Sequence, residues 1–408
     1  MSFQVALTGL SAASTDLAVT ANNIANSNTT GFKESRTTFA DVYAVSSQGI
    51  GATTPGSGVR VAGVQQQFSQ GSIDYTNNNL DLAISGDGFF IVKQGGSTEY
   101  TRAGAFAVDR DGYVVAPSDG ARLQVYPPIA GSNSFNTGGL TDLRLDGGAG
   151  APQASSLIEL GANFKADAAP PVVATFNPAD PESYNNAVST TVYDSLGTAR
   201  TATLYVVKDG VTPNTWATYL YVDGTAVGAA QPVTFNPNGS LATPAGGSAA
   251  YGTFTPTNGA DPLNLTINFG GSTQYGGNFS TNRLTQDGYA SGQLSGIDID
   301  SSGIVQARYS NGRSVPLGKI ALADFPNPQG LQKQGDTRWS ETFASGSPLR
   351  GEAGTSSLGL IQSGALEASN VDLTAELVRM IVSQRGFQAN AQMISTMDQI
   401  TQTVINIR

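Results

Sequence analysis

The sequence predicts a mainly β chain with α-helical termini, a nested multi-domain chain whose two ends form a coiled-coil-like inner core while two β domains lie outward. Apolar residues recur every seven positions at both ends, and β runs separated by Asp, Asn and Gly turns fill the interior. Charged residues make up only 13% of the 408, about half the roughly 25% usual in globular domains. Forty-nine glycines, with many Ser, Thr and Asn, take their place.

Each helix follows from its spacing. Leu373, Met380, Phe387 and Ile394 fall seven apart, with Leu377 and Ala391 at the alternate position, which gives a helix with one apolar stripe. Asp372 is placed to cap it, and Glu376 sits in the first turn, where the helix dipole favours an anion. After Ile394 the series restarts one position earlier as Met393, Ile400 and Ile407, so the stripe drifts around the helix. At the other end Phe3, Leu10, Leu17 and Ile24 repeat the same spacing, flanked by Ala6, Leu7, Ala13 and Ala21. A strict seven-residue repeat favours a seam between helices over two ordinary surface helices. Phe3, Leu10, Leu17, Ile24, Leu373, Leu377, Met380, Phe387, Ile394, Ile400 and Ile407 are therefore the expected subunit-assembly seam. Short helices are marginal in water, so the pair is expected to become ordered against neighbouring chains.

Between the helices the organisation is palindromic. Residues 1–30 and 370–408 form the helical core; 31–70 and 324–369 are polar, Gly/Ser/Thr-rich and read as connector; 71–147 and 285–323 carry alternating strands and read as a middle β domain; 148–284 reads as an inserted outer β domain. Asp109-Arg110-Asp111-Gly112 lacks the further ligands and closing Glu of a calcium loop. Gly86-x-Gly88 lacks the helix and Lys of a phosphate loop. Both read as turns.

Composition also excludes. A net charge of -10 without a basic stripe argues against nucleic acid or an anionic membrane as partner. With no Cys and no His there is no disulfide, no thiolate metal site and no histidine base. No carboxylate pair or nucleophile constellation stands out, so no catalytic, cofactor-binding or metal residue is expected. Nothing reads as a membrane span or a cleavable signal. Export, if it occurs, takes another route.

The segment Leu7-Thr8-Gly9-Leu10-Ser11-Ala12-Ala13, followed by Ala21-Asn22-Asn23-Ile24-Ala25-Asn26 and Asn28-Thr29-Thr30-Gly31-Phe32-Lys33, resembles the signature of the bacterial flagellar rod and hook axial proteins. Leu80 to Phe90, Tyr100 to Gly104, Gly364 to Leu373 and Met380 to Arg385 are similar to the family's later blocks, in the right order. Asn22, Asn23, Ile24, Asn26, Gly31, Phe32, Lys33, Gly86, Gly88, Phe89, Ser369, Asn370, Gln384 and Arg385 carry the likeness. Gly386-Phe387 departs from it, since the family more often has another small or polar residue and then Tyr. The large insert points to the hook members, because rod relatives are shorter. The resemblance implies a structural hook subunit that self-assembles into a flexible tubular universal joint between rod and filament, exported without a cleavable signal to the extracellular flagellum. Its implied partners are copies of itself in a helical homopolymer, rod proteins, hook cap and hook-filament junction proteins, and the flagellar export apparatus. The alternatives are a distal rod protein of the same family, or an extracellular carbohydrate-binding or enzymatic β protein.

Overall fold

The computed structural model describes residues 2–42, 56–129, 132, 134–145, 150–355 and 357–406. Ile407 and the expected domain boundary at 147/148 lie outside them. Helix α1 spans Ser2–Ala25 and helix α2 spans Leu373–Asn406. Asp372 caps α2, its Oδ1 accepting the N–H groups of Thr374 (2.8 Å) and Ala375 (3.1 Å) and so satisfying two donors that a helix start leaves open. The chain leaves α1 through a turn that ends at Gly31. There φ is +68°, and a Cβ would stand 2.4 Å from the backbone nitrogen of Ala103, so only glycine permits this approach.

The chain forms two compact units. The first comprises Met1–Asp146, Gly296–Arg308 and Ser314–Arg408. Its main sheet runs in the order Leu294–Ile299, Ile304–Tyr309, Ser314–Asp324, Arg122–Tyr126, Phe89–Gln94, Ser97–Thr101, Arg338–Ser340, Gln332–Gly335. Alternation along Phe89–Val92 explains its two faces. Phe90 and Val92 join one core with Leu82, Leu123 and Leu322, while Phe89 and Ile91 join another with Tyr100, Phe325 and Trp339.

The second unit comprises Gly147–Ser295 and Tyr309–Arg313. A six-stranded sheet built on Asn186–Tyr193, Ala199–Lys208 and Thr215–Val222 and a five-stranded sheet built on Leu157–Lys165 and Leu263–Asn268 share one core. Trp216 and Phe164 meet edge-on at its centre, with ring centroids 5.3 Å apart. A fragment covering residues 150–295 therefore has its own core and is expected to fold alone, with a β-type circular dichroism spectrum and a cooperative thermal transition. A disordered spectrum without a transition would show that its strands need the rest of the chain.

One turn chemistry recurs in both units. Asp109, Asp194 and Asp300 each use Oδ1 to accept the N–H groups two and four residues on, and each is followed three residues later by a glycine at φ near +80° (85°, 80° and 82°). The side chain mimics a backbone turn, which leaves Asp109 a structural residue.

The segments read as connector differ most from expectation. Ser35–Asp41 pairs antiparallel with Val59–Gln66, Gln332–Gly335 with Arg338–Ser340, Leu360–Ser363 with Leu82–Ser85 and Ala365–Glu367 with Ile73–Tyr75. These strands are short and polar, and their partners are mostly distant in sequence, so local alternation does not reveal them. The second unit also runs past the expected limit at 284, because Ser280–Gln286 pairs with Leu157–Lys165.

Candidate assembly site

α1 and α2 lie antiparallel, and their contact is built from polar and small residues seven apart. A Cβ on Gly9 would come 2.6 Å from Asn390 Oδ1. Seven residues along α1 and seven back along α2, the Ser383 hydroxyl donates to Asp16 Oδ2. Seven further, Asn23 Nδ2 donates to Glu376 Oε2 at 3.2 Å. Asn23, Glu376 and Ser383 are buried, as are Ala6, Ala12 and Thr20. Leu10, Leu17, Ile24, Met380, Phe387 and Ile394 are half-buried, while Phe3, Leu373, Leu377 and Ile400 are exposed. The centre of this contact is thus polar, where spacing alone suggested an apolar seam, because spacing ranks residues by hydropathy and is blind to layers that satisfy each other's hydrogen bonds.

Where the helices meet the β structure, a second cluster gathers residues from four parts of the chain. Asn23 bonds both backbone groups of Ser35, donating to its carbonyl (2.8 Å) and accepting its N–H (3.0 Å). Asn370 Oδ1 accepts the Glu34 N–H at 2.7 Å, and its Nδ2 donates to the carbonyls of Gln67 (2.8 Å) and Ser69 (3.1 Å). Arg379 pairs with Glu34 at 3.0 Å and with Glu376. Beneath lies an ion triad. Glu367, wholly buried, takes the Lys33 ammonium at 2.6 Å and the Arg102 guanidinium at 3.2 Å, and accepts the Gly71 N–H at 2.9 Å. Burial pushes the Lys33 amine below its ordinary pKa, while the facing Glu367 carboxylate opposes that shift. Together these bonds tie the exit of α1, the entry of α2 and the first sheet strands into one joint.

The signature residues divide accordingly. Asn23, Lys33 and Asn370 sit in the joint, and Gly31 lets the chain reach it. Asn26 donates to the Asn22 carbonyl at 2.9 Å, Ser369 accepts the Val371 N–H at 3.4 Å, and Phe32 is half-buried. Phe89 is core, and Gly86 and Gly88 both take φ +116° beside it. Asn22, Gln384 and Arg385 are exposed. Sequence reasoning gave no role to Arg102, Glu367 or Arg379. The only signal was that Arg102 and Glu367 stand inside blocks resembling the family.

The chain is 39% identical over 417 residues to the flagellar hook protein FlgE of Escherichia coli strain K12, each covered over 100% of its length. It belongs to the flagellar hook protein FlgE family. FlgE of Borreliella burgdorferi is 37% identical over 98% of both chains. The solved structure of the Helicobacter pylori flagellar hook protein FlgE2 shares the fold, with a TM-score of 0.54 and 15% identity over 72% of this chain and 100% of that one. Family models match along the chain: "Flagella basal body rod protein" at residues 3–33, "Flagellar hook protein FlgE/F/G D1 domain" at 83–146, "Flagellar basal body protein FlaE D2 domain" at 161–289, and "Flagellar basal body rod FlgEFG protein C-terminal" at 362–407. The first and last of these cover both sides of the helix contact and most of the joint, while Arg102 of the triad falls in the D1 match.

Proposed function

We propose that this chain is a structural subunit of the bacterial flagellar hook, which polymerises with copies of itself into a tube. One observation supports the finer reading that α2 is where copies meet. Its polar residues face α1, so Leu373, Leu377, Val378, Ile381 and Val382 remain 44% to 63% exposed within ten residues. A cluster of that kind marks an interaction site. The same surface serves every copy, and head-to-tail contacts that do not close a ring generate an open helical assembly. Bending then follows from α helices that stay packed while the Gly-rich, weakly charged β surfaces exchange contacts.

The distal rod reading is not favoured, because the full-length relatives are hook proteins. An enzymatic or carbohydrate-binding role has little to stand on. The full-length relatives are hook proteins, and the groove of about 570 Å³ beside Phe32 and Trp339 is read below as a contact surface. We read the rod as the neighbour below. The cap, the hook-filament junction proteins and the export apparatus are further expected partners, and export is taken to proceed without a cleavable signal. Among the described residues no helix is long and apolar enough to cross a membrane. Electron microscopy of the concentrated protein tests the assignment: tubes of uniform diameter are expected, and a monodisperse solution under all polymerising conditions would overturn it.

A further inference from the structure

The β hairpin formed by Gln332–Gly335 and Arg338–Ser340 carries complementary features at its two ends. At the open end, Phe343 is 106% exposed, yet the loop that presents it is held firmly. Thr342 N–H donates to the Ser345 hydroxyl (2.9 Å), Thr342 Oγ1 donates to the Gly330 carbonyl (2.5 Å), Asn327 Nδ2 donates to the Ala344 carbonyl (2.9 Å), and Ser345 is wholly buried. A single exposed apolar residue is ordinary on a protein surface. A phenyl ring standing free on a loop with this many internal bonds is a fixed protrusion, because the loop cannot fold over to cover it.

At the turn end, Gly335, Asp336 and Thr337 border the 570 Å³ groove, whose floor is apolar and includes Phe32, Trp339 and Val92. That volume is in the range of sites that enclose sizeable apolar groups, so it admits a phenyl ring together with part of its loop. Charge matches as well. Lys333 lines the groove and its ammonium donates to Ser35 Oγ at 2.9 Å, with no carboxylate in ion-pair range among the described residues. Two residues before Phe343, the exposed Glu341 carboxylate accepts the Tyr100 hydroxyl at 3.0 Å, a hydroxyl that Arg350 also faces, and forms no ion pair among the described residues.

We propose that Phe343 of one copy docks in the groove of the next, with Glu341 approaching the neighbour's Lys333. The occupant is a second copy of this chain, and the proposal rests on the assembly reading above. Knob and hole lie at opposite ends of one hairpin, so a head-to-tail contact leaves every bound copy with a free knob or a free groove for the next. It propagates along a row of subunits. This surface lies between the β structure and the exit of α1 and is separate from the exposed face of α2, so it supplies a second, specific contact of the kind that fixes the offset between neighbours.

The chain has no cysteine, which makes the test direct. Ala344→Cys beside the knob and Ser118→Cys on the groove rim are both exposed positions and leave Phe343 and the groove floor intact. Oxidation of tubes of the double variant is expected to give a ladder of covalent dimers, trimers and longer chains, lost on reduction. Each single variant should give none, and a mixture of the two single variants should give one heterodimer. Adding Phe343→Asp to the double variant should remove the ladder while the circular dichroism spectrum is unchanged. Tubes that form without a ladder, or a ladder that survives Phe343→Asp, would overturn the docking and leave the hook assignment standing. Failure of the unmodified chain to form tubes would overturn both.

Discussion

Replacing Glu367 by alanine is expected to destabilise the first unit by about 3–5 kcal/mol, the usual cost of breaking a buried ion pair from one side. The carboxylate is the only anion in the triad, so its loss leaves Lys33 and Arg102 as two buried cations facing each other. It also orphans the Gly71 N–H. The variant's cheapest escape is to release the Lys33 proton. Burial already holds that pKa below 10.5, Arg102 lowers it further, and the opposing pull of Glu367 is gone. The sign of the pH dependence follows. Between the depressed folded pKa and the unfolded value the unfolded chain binds more protons, so the variant's stability rises with pH through that window. Thermal melts from pH 7 to about pH 10 should show the deficit shrinking as pH rises, and Glu367→Gln, which keeps acceptors for Lys33 and Gly71 but loses the charge, should fall between the two. A melting temperature within one degree of the parent would mean that the triad adds nothing to stability.

What the sequence made legible was local. The start of α2 could be read because a cap such as Asp372 acts within three residues, and the Asp109 turn because the side chain and the N–H groups that donate to it lie within four. The seven-residue repeats announced two helices that prefer company. They could not say which face each partner would take, since Asp16, Asn23, Glu376 and Ser383 read as solvent-facing until Asp16 is seen to bond Ser383 and Asn23 to bond Glu376. The joint was hidden for a different reason. Lys33 and Glu367 are 334 residues apart and Asn23 and Glu376 are 353 apart, so their pairing is a product of topology. Resemblance marked Asn23, Lys33 and Asn370 without giving a reason, and the reason is now physical: each satisfies backbone or charged groups where two helices enter a sheet. The strands at Ser35–Asp41 and Val59–Gln66 were missed although Val59, Val61 and Val64 recur along the second, because none is buried and the polar surroundings outweighed the valines.

Leu377→Asp combined with Ile381→Asp is expected to abolish polymerisation while leaving the monomer's β structure as stable as the parent's. Both side chains are about half exposed, at 45% and 49%, and they lie off the layers formed with α1, so the free chain loses little by the change. In the tube each leucine or isoleucine that a neighbour would cover contributes about 2 kcal/mol of burial, so losing both raises the critical concentration on the order of a thousandfold. Burying the new carboxylates would add a further penalty unless they were protonated. Sedimentation of polymerised protein separates this outcome from general damage: the variant should stay in the supernatant at concentrations where the parent pellets, with overlapping thermal melts. Phe387→Asp makes a useful contrast. Phe387 is half-buried beside the contact with α1, so that substitution should disturb the helix pair as well as assembly. If the Leu377→Asp, Ile381→Asp chain still pellets as tubes, this face of α2 is turned to solvent in the assembly, and the copies meet through the β surfaces alone.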